Sequence, residues 1–73
     1  TLEVDFVAEK DNRIHYFQVT ASMMEEATFE REMKSLRNIT DNYSKTVLTL
    51  DRFTTGNYDG IEVVNVVDWL LNQ

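Results

Sequence analysis

Two short runs near the start of the chain alternate between hydrophobic and polar residues, which is the pattern of half-buried β-strands. The first covers residues 3–9 (EVDFVAE) and the second covers residues 14–20 (IHYFQVT). A polar turn centred on Asp11 and Asn12 separates them. The pattern therefore predicts an antiparallel hairpin with a tight turn.

The register of this hairpin follows from its turn. A two-residue loop makes Lys10 face Arg13, and directly opposed residues on the two strands share a face. One face then collects four polar residues, Glu3, Asp5, Gln18 and Thr20. The other face collects mostly apolar residues, Val4, Phe6, Ala8, His15, Phe17 and Val19. A slip of one residue would mix the two sets, so we expect this register, with the apolar face packed under a helix.

An amphipathic helix is predicted by the segment ATFEREMKSLRNI at residues 27–39. Its apolar residues recur at helical spacing and form one stripe: Phe29, Met33, Leu36 and Ile39. Ser22 with Glu25 resembles a capping box, and Thr28 is an alternative N-cap. These two candidate N-caps place the first residue of the helix at positions several residues apart.

The rest of the chain adds two strands and a short helix. Residues 45–51 (KTVLTLD) predict a strand. Its apolar residues Val47, Leu48 and Leu50 would point to both faces of the sheet, so both faces are expected to be covered. A strand, a helix and a buried strand in succession predict a crossover and parallel pairing. Residues 60–66 (GIEVVNV) supply a fourth strand, and Asn65 is placed to cap a final helix in which Val66, Trp69 and Leu70 pack inward. The expected fold class is α/β, with a mixed sheet.

Length, composition and charge limit the function. The 73 residues allow one domain over residues 1–73, and no cysteine is present. No apolar run approaches the length that spans a bilayer, so we expect a cytoplasmic protein with no membrane partner. The net charge of −6 makes autonomous nucleic-acid binding unfavourable. The chain enters a strand pattern at once and begins with Thr1, which suggests a part of a longer polypeptide.

Several segments occur in an order that resembles a known family. They are EVDFV, QV, EREMKSL, DNYSK, LTLD and the terminal WLL. The series is similar to the C-terminal domain of unknown function that follows the ATPase module in predicted prokaryotic AAA-type ATPases. Its hairpin, crossover helix and strand also resemble a truncated restriction-endonuclease-like core of the PD-(D/E)XK superfamily. The resemblance implies that ATP binding and hydrolysis belong to an upstream ATPase module, and it implies that module or another protein as the partner.

The nuclease resemblance assigns chemistry to particular residues. In that superfamily, an Asp and the first residue of an (E/Q)-x-K motif hold Mg²⁺ while the Lys stabilises developing charge. Asp5 matches the Asp, Gln18 matches the second ligand, and Thr20 stands where the Lys is expected. Glu3 is a further weak candidate ligand, and Glu32 or Lys34 could approach from the helix. A threonine hydroxyl carries no positive charge, so the motif is degenerate.

Two functional hypotheses follow. The first is a non-catalytic accessory, regulatory or interaction domain, with no catalytic or cofactor-binding residue in this segment. The alternative is a Mg²⁺-dependent nuclease that uses Asp5 and Gln18 with a relocated base. A phosphate-binding loop is absent, because Gly56 and Gly60 are isolated. His15, the single histidine, is expected to be a packed, hydrogen-bonded residue and not a ligand.

Overall fold

The computed structural model describes residues 5–72 and contains a five-stranded mixed sheet with two helices. In chain order the elements are β1 (Phe6–Lys10), β2 (Arg13–Thr20), α1 (Glu26–Arg37), β3 (Ser44–Thr49), β4 (Gly56–Tyr58), β5 (Ile61–Asn65) and α2 (Val66–Leu71). The strand order is β1-β2-β3-β5-β4. β2, β3 and β5 are parallel, whereas β1 and β4 are antiparallel edge strands. The α/β class and the mixed sheet are confirmed, and β4 is a strand that the sequence pattern did not predict.

The N-terminal hairpin has the predicted register. Lys10 pairs with Arg13, and Phe6 pairs with Phe17. The turn residues Asp11 and Asn12 have φ angles of 56° and 62°, the left-handed conformation that a two-residue hairpin turn requires. Asp and Asn tolerate this conformation better than other non-glycine residues because their short polar side chains can hydrogen-bond locally.

The prediction of which hairpin face lies under α1 is wrong. α1 packs on the face that carries Tyr16, and the residues of this core are Met23, Met33, Leu36, Val47, Ile61 and Val63. Phe17 points to the opposite face, where its ring meets Trp69 of α2 edge-on at 5.4 Å. The hairpin pattern distinguishes two faces but does not say which helix covers each. Because β3 and β5 contribute apolar residues beside Tyr16, that face receives α1.

The central strand β3 is covered on both faces, as expected. Val47 lies on the α1 side and Leu48 on the α2 side, and both are buried. The prediction that Leu50 shares this cover is wrong, because β3 ends at Thr49 and Leu50 is 62% exposed. Leu70 of α2 is likewise 60% exposed and does not pack inward.

The two helices begin differently. Glu25 is the N-cap of α1 and makes no side-chain capping hydrogen bond, so both predicted caps, Ser22 and Thr28, are wrong. The Ser22 hydroxyl instead accepts a hydrogen bond from the Met24 N–H at 3.0 Å. The predicted N-cap of α2 is confirmed, since the Asn65 side chain accepts hydrogen bonds from two backbone N–H groups of its first turn. Neither helix in the described part of the chain has the length and apolarity to cross a membrane.

Replacing Leu36 by Ala tests the assignment of the α1 core. Leu36 is fully buried, so the substitution should lower the free energy of unfolding by about 2–5 kcal/mol, measured by urea denaturation. Leu71→Ala is the matched control, because Leu71 is largely exposed and its loss should change stability by no more than about 0.5 kcal/mol. Equal effects of the two substitutions would contradict the packing described.

Candidate functional site

The predicted acid and amide lie next to each other at the open end of the hairpin. The Asp5 N–H donates to Gln18 Oε1 at 2.8 Å, and the Val19 N–H donates to Asp5 Oδ2 at 2.7 Å. Gln18 is 3% exposed, whereas Asp5 is exposed. Each side chain therefore replaces a strand-to-strand hydrogen bond just beyond β1, where the regular ladder ends.

The third position of the predicted motif is occupied by a hydroxyl with a local partner. Thr20 Oγ1 donates to the Ser22 backbone oxygen at 3.2 Å. Lys34, which the sequence suggested could approach the site from the helix, is exposed on α1. Glu32 pairs with Arg31 on the same helix at 3.4 Å.

Glu3, the remaining candidate ligand, lies outside the described residues, as does its predicted pairing with Thr20. Within residues 5–72, no group of three His, Cys, Asp or Glu side chains is arranged to hold a metal ion. Mg²⁺ prefers an octahedral shell of oxygen ligands, which it completes with water when the protein supplies one or two carboxylates. Asp5 and Gln18 would supply one carboxylate and one amide oxygen to such a shell.

His15 is hydrogen-bonded, as the sequence led us to expect. Its Nδ1 lies 2.5 Å from the Ser44 hydroxyl at the start of β3. The ring lines an open groove of about 430 Å³ on the α2 face of the hairpin, together with Phe6, Phe17 and Trp69. His15 therefore helps to join β2 to β3 on this face.

A polar cluster that the sequence analysis missed lies at the carboxyl ends of the parallel strands, and Asp51 is its centre. Asp51 Oδ2 accepts from the Met23 N–H at 2.7 Å and from the Thr49 hydroxyl at 3.0 Å. Asp51 Oδ1 accepts from the N–H groups of Phe53 and Thr54, both at 3.0 Å, and from the Thr54 hydroxyl at 2.8 Å. The carboxylate thus joins the chain leaving β2 to the end of β3 and to the turn before β4.

The hydrogen bonds to Asp51 determine its protonation. Burial raises the pKa of its carboxyl, but the hydrogen bonds donated by Met23, Thr54 and Thr49 outweigh burial and hold the pKa far below its usual range. The group is therefore a stable anion whose lone pairs are occupied by internal donors. This arrangement suits a structural connection and not a proton-transferring acid or base. The spacing of Asp51 and Thr54 after a buried strand was the signal that could have revealed it, because Asp and Thr at such a spacing favour a local turn.

Asn65 extends the same cluster across β5. Its side-chain N–H₂ donates to the Leu50 oxygen at 3.0 Å and to the Asp51 oxygen at 3.3 Å. Its oxygen caps α2, so one buried amide side chain joins β3, β5 and the final helix.

A second cluster lies at the opposite end of the parallel strands, beside the start of β3. The Tyr16 hydroxyl donates to Asp41 Oδ2 at 2.6 Å, and Lys45 Nζ donates to Asp41 Oδ1 at 3.3 Å and to the Tyr43 oxygen at 2.9 Å. The hydrogen bond from Tyr16 lowers the pKa of Asp41 and raises the pKa of Tyr16. Asp41 and Lys45 of the DNYSK segment therefore have a structural role, because their contacts hold the loop between α1 and β3 in place.

Comparison with known proteins gives a match to a protein that is longer than this chain. The chain is 42% identical over 69 residues to an uncharacterized protein of Haemophilus influenzae. The match covers 94% of this chain and 16% of that protein, so the chain spans a small part of its relative's length. No family model and no solved structure matches the chain.

Replacing Asp51 by Asn should destabilise the protein in a pH-dependent way. An amide nitrogen cannot accept the N–H donors around it, so we expect a loss of at least about 2 kcal/mol near neutral pH. Because the folded-state pKa of Asp51 is depressed, the stability contributed by the ionised group is present above the unfolded pKa of 3.8 and is lost as pH falls through and below that value. The deficit of the variant relative to wild type should therefore shrink on acidification in urea denaturation series.

The control for this measurement is Asp59→Asn, at an exposed turn position with a φ angle of 54° that Asn tolerates. Its stability should follow wild type at every pH. A deficit at Asp51→Asn that stayed constant from neutral to strongly acidic pH would show that ionisation of Asp51 does not stabilise the fold.

Proposed function

We propose that this chain is a non-catalytic accessory and interaction domain of a longer protein, with a nuclease-like site that has lost its catalytic lysine. By the resemblance of its ordered segments, the longer protein is an AAA-type ATPase, with ATP hydrolysis in a preceding module. The domain itself performs no hydrolysis under this proposal. Its partner is that ATPase module or another protein.

The observation that carries the proposal is the state of the three motif residues. Asp5 Oδ2 and Gln18 Oε1 each accept a hydrogen bond from a backbone N–H group across the hairpin. Thr20 donates to a neighbouring carbonyl and supplies no positive charge. Phosphodiester hydrolysis requires charge stabilisation at the developing oxyanion, which a neutral hydroxyl supplies poorly. The three positions thus act as structural residues of the hairpin.

Two further features favour an accessory role. The match to a protein of which this chain spans 16% is what a module within a larger architecture would produce. Large apolar side chains are also exposed on this small domain, among them Phe53 at 84% and Leu71 at 78%. These side chains are accessible for contact with another protein, as the proposed interaction role requires.

The alternative, a Mg²⁺-dependent nuclease, is favoured by one specific observation, the adjacency of Asp5 and Gln18. It would need a base or cation supplied from elsewhere, and it would need Mg²⁺ to compete with the two backbone donors. The net charge of −6 opposes binding to a nucleic-acid backbone.

Titration with Mg²⁺ separates the two functions. The Val19 N–H contacts Asp5 Oδ2 directly, so its ¹H–¹⁵N resonance reports any ion bound at that carboxylate. We expect no saturable shift at Val19 up to millimolar Mg²⁺ and no cleavage of single- or double-stranded DNA. Mn²⁺ added in trace amounts should likewise produce no selective line broadening there.

The variants Asp5→Asn and Asp11→Asn complete the test. Both remove one exposed carboxylate from the hairpin, but Asp11 is in the turn and not at the candidate site. A saturable shift that Asp5→Asn abolishes and Asp11→Asn preserves, accompanied by DNA cleavage, would replace the accessory role with the nuclease.

A further inference from the structure

The edge strand β1 is attached to the domain through β2. In the described part of the chain, residues 5–72, β1 pairs only with β2, and four of its five residues are exposed. β2 by contrast is an interior strand, paired with β1 on one side and β3 on the other. Departure of β1 would therefore leave the α1 core intact.

Within residues 5–72, the ring contact and the side-chain hydrogen bonds that secure β1 and the residue before it are made with β2. The rings of Phe6 and Phe17 stack at a centroid distance of 4.7 Å. Immediately before β1, Asp5 exchanges two hydrogen bonds with Gln18 and Val19. Any chain that presents the same β2 surface can receive β1 with the same contacts.

The closed turn between the two strands carries a conformational cost that an extended connection would remove. Asp11 and Asn12 both have positive φ angles, and neither is glycine. A left-handed conformation is costly for an L-residue with a Cβ atom, even though Asp and Asn are the best tolerated. In an extended connection both residues would leave this conformation, and β1 and β2 would become one continuous strand.

We propose that β1 exchanges between two copies of this chain, so that β1 of each copy pairs with β2 of the other. The register in the hairpin pairs residues whose numbers sum to 23, as Lys10 with Arg13 and Phe6 with Phe17. The same register can continue through an extended turn, with Asp11 of one copy opposite Asn12 of the second. Every β1–β2 contact is then kept, and the two positive φ angles are removed.

Concentration decides between the closed and exchanged forms. The closed hairpin forms its contacts within one chain and is favoured on dilution, whereas the exchanged form is a dimer and is favoured by mass action at high protein concentration. The exchange is independent of whether the domain is an accessory module or a nuclease. It provides a way for two longer chains to be joined through this domain.

Single cysteine variants test the exchange directly, since the natural chain has no cysteine. Glu9 and Ile14 are directly paired across the hairpin. When Glu9→Cys and Ile14→Cys chains, one of them carrying a mass tag, are unfolded together, refolded at high concentration and oxidised, exchange brings the two cysteines together in different chains. We expect a disulfide-linked heterodimer on a non-reducing gel.

The matched control replaces Ile14→Cys by Lys34→Cys, on the exposed face of α1. This pair measures chance oxidation between chains and should give at least about tenfold less heterodimer. Adding Asn12→Gly to the reporting pair should lower its heterodimer yield about tenfold, because glycine relieves the left-handed position in the closed turn. The double substitution Asp11→Val and Asn12→Val should raise the yield, and far-ultraviolet circular dichroism checks that it folds.

A heterodimer yield no greater than that of the Lys34→Cys control, and unchanged by Asn12→Gly, would overturn the proposal. Analytical ultracentrifugation of the natural chain refolded at high concentration gives an independent result. A dimer that persists on rapid dilution and converts slowly to monomer supports exchange, and a monomer at every concentration contradicts it.

Discussion

The carboxylate of Asp51 is the interaction on which the arrangement of this domain depends. β2, β3 and β5 are parallel, so their carboxyl ends lie side by side, and the segments that follow them leave the sheet at that end. Asp51 connects the segment after β2 to the end of β3, and Asn65 carries the connection to β5 and α2. Because these donors are partly buried, removing the anion leaves several of them without partners at once.

The two ends of the parallel strands are thus held by different kinds of interaction. At the carboxyl edge one anion accepts hydrogen bonds from both backbone and hydroxyl donors. At the amino edge Tyr16, Asp41 and Lys45 form a charged network that secures the loop entering β3. Between them the apolar core on the α1 side and the aromatic contacts of Phe17 with Phe6 and Trp69 on the α2 side cover the sheet.

The sequence predicted those features that depend on local periodicity. The hairpin register followed from a two-residue turn, α1 from its apolar stripe, and the α2 cap from Asn65. The sequence did not reveal which helix covers Phe17, because that depends on apolar residues contributed by β3 and β5. It also missed β4, which has only three residues and lies within a loop rich in polar residues and glycine.

The candidate site could be predicted in part for the same reason. The proximity of Asp5 and Gln18 follows from hairpin register, which is local. The role of Asp51 does not, since its partners Met23 and Thr54 come from different connections and meet only in the folded sheet. An ion bound at Asp5 and Gln18 would have to compete with the backbone N–H groups that donate to these side chains.

The order of contacts along the chain also bears on how the domain folds. The hairpin closes over two residues, whereas His15 and Ser44, joined across β2 and β3, are 29 positions apart. Closing that longer loop costs entropy before any parallel pairing compensates for it. The crossover through α1 is therefore expected to set the rate of folding, with the hairpin formed early as a template and no proline to introduce a slow isomerisation.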